Sequence, residues 1–262
     1  MKADRLALYT LFCFFVIVGC AEQAQEDMST AEAQEPEAAP MEKTAWTYEG
    51  DGGPDAWGSL DDAYGACSAG VEQSPIALVS TDAESSSLPA LSFTYGEATL
   101  TVNDSGHGYT ATPDGSHMLS IGDDTYNLLQ FHAHTPSEHT LDGEYFPMAV
   151  HFVHQSEAGE LAVVGVLISS GEANPAYDAY TSLSEGGEAS PVALMSMLPE
   201  DLTYMTYPGS LTTPPCSEGV RWNVLTTPIT MSPEQIEVFA AAHGDTNRPV
   251  MPLGERSVRV SE

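Results

Sequence analysis

Apolar and polar positions alternate in short runs along most of this chain, and that spacing predicts strands. Residues 91–102 alternate in two stretches, Leu91, Phe93 and Tyr95, then Leu100 and Val102. Runs rich in β-branched and aromatic residues recur at 125–134, 146–154, 161–169 and 220–227. Turn chemistry separates them: Asn103-Asp104-Ser105-Gly106, Pro113-Asp114-Gly115, Asp142-Gly143 and Ala158-Gly159. Two helices are expected. One starts at Asn174-Pro175, a cap followed by proline at the first helical position. The other starts at Ser232-Pro233-Glu234-Gln235, a capping box, and runs to about His243 before Gly244. Many strands with a few helices predict a mainly β single domain, built around a large sheet with peripheral helices. No 20–50-residue repeat is visible, which argues against a solenoid or propeller.

The first 45 residues follow a different pattern. Lys2 and Arg5 precede an apolar run, 6–18, that is shorter than the roughly 20 residues a membrane span needs. The run ends in Ile17-Val18-Gly19-Cys20, which resembles a bacterial lipobox with Cys20 as the lipidated residue. An ordinary secretory signal or an uncleaved anchor would share much of this pattern. Residues 21–45 hold seven acidic residues against Lys43 and almost no large apolar side chain. Such a segment buries too little surface to offset its chain entropy, and it reads as a disordered tether, a solvated helix being the alternative. The expected organisation is a signal peptide at 1–19, a tether at 20–45 and a folded domain at 46–262. The expected location is the periplasmic side or the outer membrane of a Gram-negative bacterium, with the membrane reached through Cys20.

Charge narrows the partners. The chain has a formal net charge of −31, and after residue 45 its only cations are Arg221, Arg248, Arg256 and Arg259. Almost nothing is available to neutralise phosphates, so nucleic acid is excluded as a partner. Two cysteines, Cys67 and Cys216, remain in the domain. An even pair in an oxidising compartment suggests one disulfide, although two free buried thiols would fit the sequence too.

The densest chemistry is QFHAHTPSEHT, residues 130–140. His132 and His134 are two apart, so in a strand both imidazoles project from one face. PMAVHFVHQ, residues 147–155, offers His151 from a neighbouring strand. Three histidines leave a tetrahedral Zn2+ one open position for water, carbonic anhydrase being the standard instance. Alone, a His-x-His pair also occurs by chance or in structural roles.

QFHAHTPSEHTLDG, MAVHFVHQ, LAVVGVLI and YPGSLTTPPCSEGVRW resemble, in order and spacing, successive signatures of the α-class carbonic anhydrases. WTYEGDGGPDAWGSL, CSAGVEQSPI and NRPVMPL extend the resemblance across residues 46–253. It implies a twisted, mostly antiparallel central sheet, a Cys67–Cys216 disulfide, and reversible hydration of CO2 to bicarbonate and a proton by metal-bound hydroxide. His132, His134 and His151 match the zinc ligands, and Gln130 matches the residue bonded to the first of them. Thr212 matches the threonine that orients the nucleophile, and Glu138 the carboxylate that accepts that threonine's proton. Thr213 matches a bicarbonate contact. Val153, Val163, Leu211 and Trp222 match the apolar wall for CO2. His107, in DSGHGYT, matches the proton shuttle, and Tyr48 a tyrosine that orders the intervening water. His139 and His154 match family positions that are not ligands, and His117 and His243 are expected at the surface.

One position departs from the pattern. The family usually carries Glu two residues before the third ligand, bonded to its outer nitrogen, and here that position is Ala149. The alternative to an active hydratase is a non-catalytic binding or surface protein. Such relatives typically lack one or more zinc histidines, and all three stand here. Ester cleavage is a conceivable side activity of the same site. The sequence says nothing about protein partners or oligomeric state.

Overall fold

A computed structural model describes residues 45–187 and 189–262. The signal, Cys20 and all of the tether except residue 45 lie outside the described residues. Thirteen strands of the described chain join in one mixed sheet. Its centre runs Glu97–Asp104, Tyr109–Pro113, Asp124–His134, Met148–Gln155, Leu161–Ser170, Glu218–Leu225 and Tyr204–Ser210 in spatial order. Neighbours are mostly antiparallel. Parallel pairing occurs where Leu161–Ser170 meets Glu218–Leu225 and Ile229–Met231, and where Arg259–Ser261 meets Glu84–Ser86.

Each face of the sheet has its own core, as a period-two strand requires. Phe131, Val150, Phe152 and Val164 project to one face, under Tyr180 and Phe239 of the helices Asp178–Ser184 and Pro233–His243. Val163, Leu167, Trp222 and Val224 project to the other, beside Ala149 and Tyr207. Each large apolar side chain so buried contributes about 1.5–3 kcal/mol. The sequence-predicted capping box is present. Ser232 Oγ accepts from the Gln235 N–H at 3.2 Å, and Gln235 Oε1 accepts from the Ser232 N–H at 3.1 Å. Gln235 also bonds Asn174, so one side chain ties together the starts of both helical segments.

Three expectations need correction. Residues 91–102 form two strands, Leu91–Thr94 and Glu97–Asp104, separated at Tyr95-Gly96. The apolar positions change parity there, from Leu91 and Phe93 to Ala98 and Leu100. One continuous strand would turn half of them to the wrong face, and the two halves pair with different partners. The helix expected at Asn174 opens as a 3-10 turn, Pro175–Tyr177, before the α-helix Asp178–Ser184. His117 and His243 are not surface residues. His117 is 5% exposed, bonded to Asp114 O and the Gly96 N–H, and the His243 side chain is 7% exposed against Asp104.

Tyr204–Ser210 is a further strand that the pattern of apolar positions does not predict, and it carries Pro208 and Gly209 within it. Gly209 is required by close approach: a Cβ there would lie 2.2 Å from Ser74 Oγ and 2.8 Å from Trp222 Cδ1.

Candidate metal centre

Strand register assembles the centre. His151 lies directly opposite His132, Ala149 opposite His134, and Val153 opposite Gln130. The three imidazoles therefore share one face, with ring centroids 4.7–5.5 Å apart. One nitrogen from each lies within 4.8 Å of the others. Burial favours the neutral form of two of the rings: His132 is pushed down to about 3, by desolvation first and then by His134. His151 is also held well below the usual imidazole range, chiefly by burial.

Hydrogen bonds decide which nitrogens face inward. Nδ1 of His132 donates to Gln130 Oε1 at 2.8 Å. Nδ1 of His134 donates to Thr246 O at 2.6 Å. Each ring then keeps its Nε2 lone pair for the centre. His134 Nε2 and His151 Nδ1 lie 3.5 Å and 3.7 Å from the same oxygen, Glu138 Oε2, so Nδ1 is the inward nitrogen of His151. The outward Nε2 of His151 is buried with no hydrogen-bond partner.

Glu138 is fully buried. Desolvation raises its pKa, opposed by His134, the Arg248 N–H, Thr212 and the Arg248 charge in that order. Its Oε1 accepts from the Arg248 N–H at 3.0 Å. Thr212 is close enough to favour the ionised carboxylate, yet Oε2 has no donor in hydrogen-bonding geometry. Arg248 itself is 1% exposed and donates to Gln73 Oε1, Ser74 O and Cys67 O.

The apolar candidates also fall into register. Val153 faces Val163, and Val163 faces Trp222, in one row across three strands beside Gln130. Leu211 packs against the same cluster. A cavity of about 210 Å³ is lined by Tyr48, His107, Gln130, His132, His134 and Thr213, among others. Larger hollows of about 640 and 540 Å³ lie elsewhere and hold none of these residues. His107 stacks on Trp46, with centroids 3.6 Å apart and planes 13° apart, and its Nε2 donates to Trp46 O at 2.9 Å. Burial, then Glu138, raises the Tyr48 phenol's pKa. Cys67 and Cys216 form a disulfide that ties the Thr212–Thr213 loop to the segment after Trp57.

Sequence reasoning overlooked the Thr246 carbonyl, the Arg248 hub and the Trp46 clamp. A carbonyl acceptor leaves no side-chain signal. Arg248 has one, as the lone cation of the segment NRPVMPL.

His139 and His154 do not join the three-histidine group. His139 Nε2 bonds the Tyr207 hydroxyl at 2.6 Å. His154 bonds Ala162 O and the Tyr95 hydroxyl. Burial pushes His154 down to about 4 and, with His134, pushes His139 down to about 3. Each binds fewer protons folded than unfolded below about pH 6.5, so stability is full above that pH and falls as pH drops toward 4. For His154 alone the loss is roughly 3 kcal/mol. Denaturant midpoints of metal-free protein from pH 7.5 to 4.5 are expected to fall. A flat series, or an unchanged slope in His154→Asn, contradicts this assignment.

The sequence profile of the eukaryotic-type carbonic anhydrase family matches residues 52–262. A carbonic anhydrase of Pectobacterium carotovorum is 36% identical over 228 residues, spanning 84% of this chain and 93% of that protein. One from Neisseria gonorrhoeae is 38% identical over 227 residues, spanning 82% and 87%. The solved α-carbonic anhydrase of Thermovibrio ammonificans, in complex with the inhibitor sulfanilamide, superposes with a TM-score of 0.78. It shares 39% identity and covers 83% of this chain and 99% of its own.

Proposed function

The chain belongs to the eukaryotic-type carbonic anhydrase family, and from that premise we propose that it is a zinc enzyme converting CO2 reversibly to bicarbonate and a proton. The convergence of His132, His134 and His151 carries this reading. Two of the three rings spend their outer N–H on Gln130 and Thr246, which frees the inner lone pairs, and His134 Nε2 is buried without a hydrogen-bond partner. That donor set suits a tetrahedral zinc with one open position. Zinc, when bound, supplies the charge that brings the pKa of water to about 7, carbonic anhydrase being the standard case.

The protein's own groups do the rest. Arg248 and Thr212 favour an ionised Glu138, which in that form only accepts, so the Thr212 hydroxyl turns its hydrogen toward it. Its lone pair then holds the attacking water in line with CO2. Val153, Val163, Leu211 and Trp222 give the apolar substrate a dry wall, and Thr213 holds the bicarbonate. His107 takes the released proton through water ordered by Tyr48, an imidazole nitrogen being able to accept a proton and pass it on. After zinc loading and dialysis, the chain is expected to retain one zinc, and His134→Ala to lose it. A wild-type chain that retains none contradicts the assignment.

We also propose export and lipid attachment through Cys20, supported by the apolar run at 6–18 and its Val18-Gly19-Cys20 ending. Radiolabelled palmitate should enter the full chain expressed in a Gram-negative host and be absent from Cys20→Ala. Equal labelling of both would reject it.

A further inference from the structure

The turn that carries His107 has an anchor outside the site just described. Glu97–Asp104 and Tyr109–Pro113 form a hairpin whose last pair is Asp104 with Tyr109. His107 sits in the loop between them, flanked by Gly106 and Gly108 at φ 76° and 149°. Two such glycines make a loop with many accessible conformations. Ser105 closes it internally: its N–H and hydroxyl both donate to Gly108 O, and its Oγ accepts from the His107 N–H at 3.2 Å. The base of the loop is tied by Asp104. One carboxylate oxygen, Oδ1, accepts from the Gly106 N–H at 2.7 Å and from His243 Nε2 at 2.8 Å.

His243 is built for that contact. It is the last residue of the eleven-residue helix Pro233–His243, so the helix fixes its place beside Asp104. Its ring meets the Tyr109 ring edge-on at 4.7 Å. Its side chain is 7% exposed, whereas Asp104 is 53% exposed. A carboxylate that open to water is ordinarily free to turn. Here one oxygen is fixed by a nearly buried imidazole and passes that position to the loop amide next to His107.

We propose that His243 and Asp104 are a positioning pair for the proton relay, holding the His107 turn in place against the cavity that His107 lines. This rests on reading His107 as the relay. A relay acts only after bicarbonate has formed, so its placement affects kcat while leaving kcat/KM to the hydration step.

The test uses the zinc-loaded enzyme. His243→Ala and Asp104→Ala are each expected to lower kcat several-fold, with kcat/KM held and with added imidazole restoring kcat. His243→Gln, which keeps a donor for Asp104, should restore most of the loss. In the metal-free protein, hydrogen exchange at the Gly106 and His107 amides should quicken in the alanine variants only. Combining His243→Ala with His107→Ala should cost no more than His107→Ala alone. If kcat and kcat/KM fall together, the pair is merely structural and the proposal fails. If His107→Ala lowers kcat but His243→Ala changes neither kcat nor exchange, the relay stands and the pair's role is overturned. If His107→Ala leaves kcat unchanged, the relay reading fails and takes this proposal with it.

Discussion

Ala149→Glu is expected to slow the loss of zinc to a chelator by about 10- to 100-fold, the usual range for an outer partner of a metal-bound histidine. His132 and His134 each have such a partner, in Gln130 Oε1 and Thr246 O. His151 has none, and its outward Nε2 is buried and unpaired. An unmet buried donor costs about 1–3 kcal/mol, and a ring without a fixed partner is free to tilt off the metal. Ala149 precedes His151 by two on the same strand face and is 1% exposed, so a carboxylate there starts on the correct side. Its neighbours set the cost. Leu167 lies across the strand pair, and Trp222 and Val224 complete the cluster, so the longer side chain must displace apolar contacts. The variant should therefore hold zinc longer while its metal-free form melts lower. Ala149→Gln, a neutral acceptor, should fall between. A release rate equal to wild type in a folded variant would mean that His151 already has an acceptor, and the reading of Ala149 as a missing partner would be wrong.

Breaking the Cys67–Cys216 disulfide should cost up to about 5 kcal/mol, the chain-entropy value for a loop this long. The two cysteines are 149 residues apart. The carbonyls of both are held from within the core: Arg248 Nη2 donates to Cys67 O, and Gln73 Nε2 donates to Cys216 O. Arg248 also gives its backbone N–H to Glu138. Crosslink, arginine and carboxylate thus form one connected unit behind the Thr212 loop. Cys67→Ser/Cys216→Ser should therefore unfold at lower denaturant. It should also hydrate CO2 more slowly per folded molecule, because Thr212 and Glu138 lose their common support. Denaturant titration of wild type and variant, with free-thiol counting, reads the first effect, and stopped-flow CO2 hydration reads the second. An unchanged midpoint with no crosslink present contradicts the estimate.

Much of this site was legible in the sequence because it is local. His132 and His134 announce themselves by a spacing of two, and the capping box at Ser232 needs only four residues. Other features depend on distant partners. The order of strands follows from pairings such as Leu161–Ser170 with Glu218–Leu225, far apart in the chain. The break at Gly96 was present as a change of parity between Phe93 and Ala98, although the apolar content concealed it. His117 and His243 resemble surface residues until the Asp114 carbonyl and Asp104 are brought to them. Thr246 supports His134 through its main chain, which no side-chain pattern records.

A hydratase assembled around three histidines is tested most directly by stopped-flow CO2 hydration at pH 8 by the zinc-loaded domain, residues 46–262. The expected result is turnover far above buffer alone, lost with His134→Ala and slowed in kcat by His107→Ala. A domain that holds one zinc yet does not exceed the buffer rate would contradict it, and would make this chain a carbonic-anhydrase-like binding protein with an assembled but inactive centre.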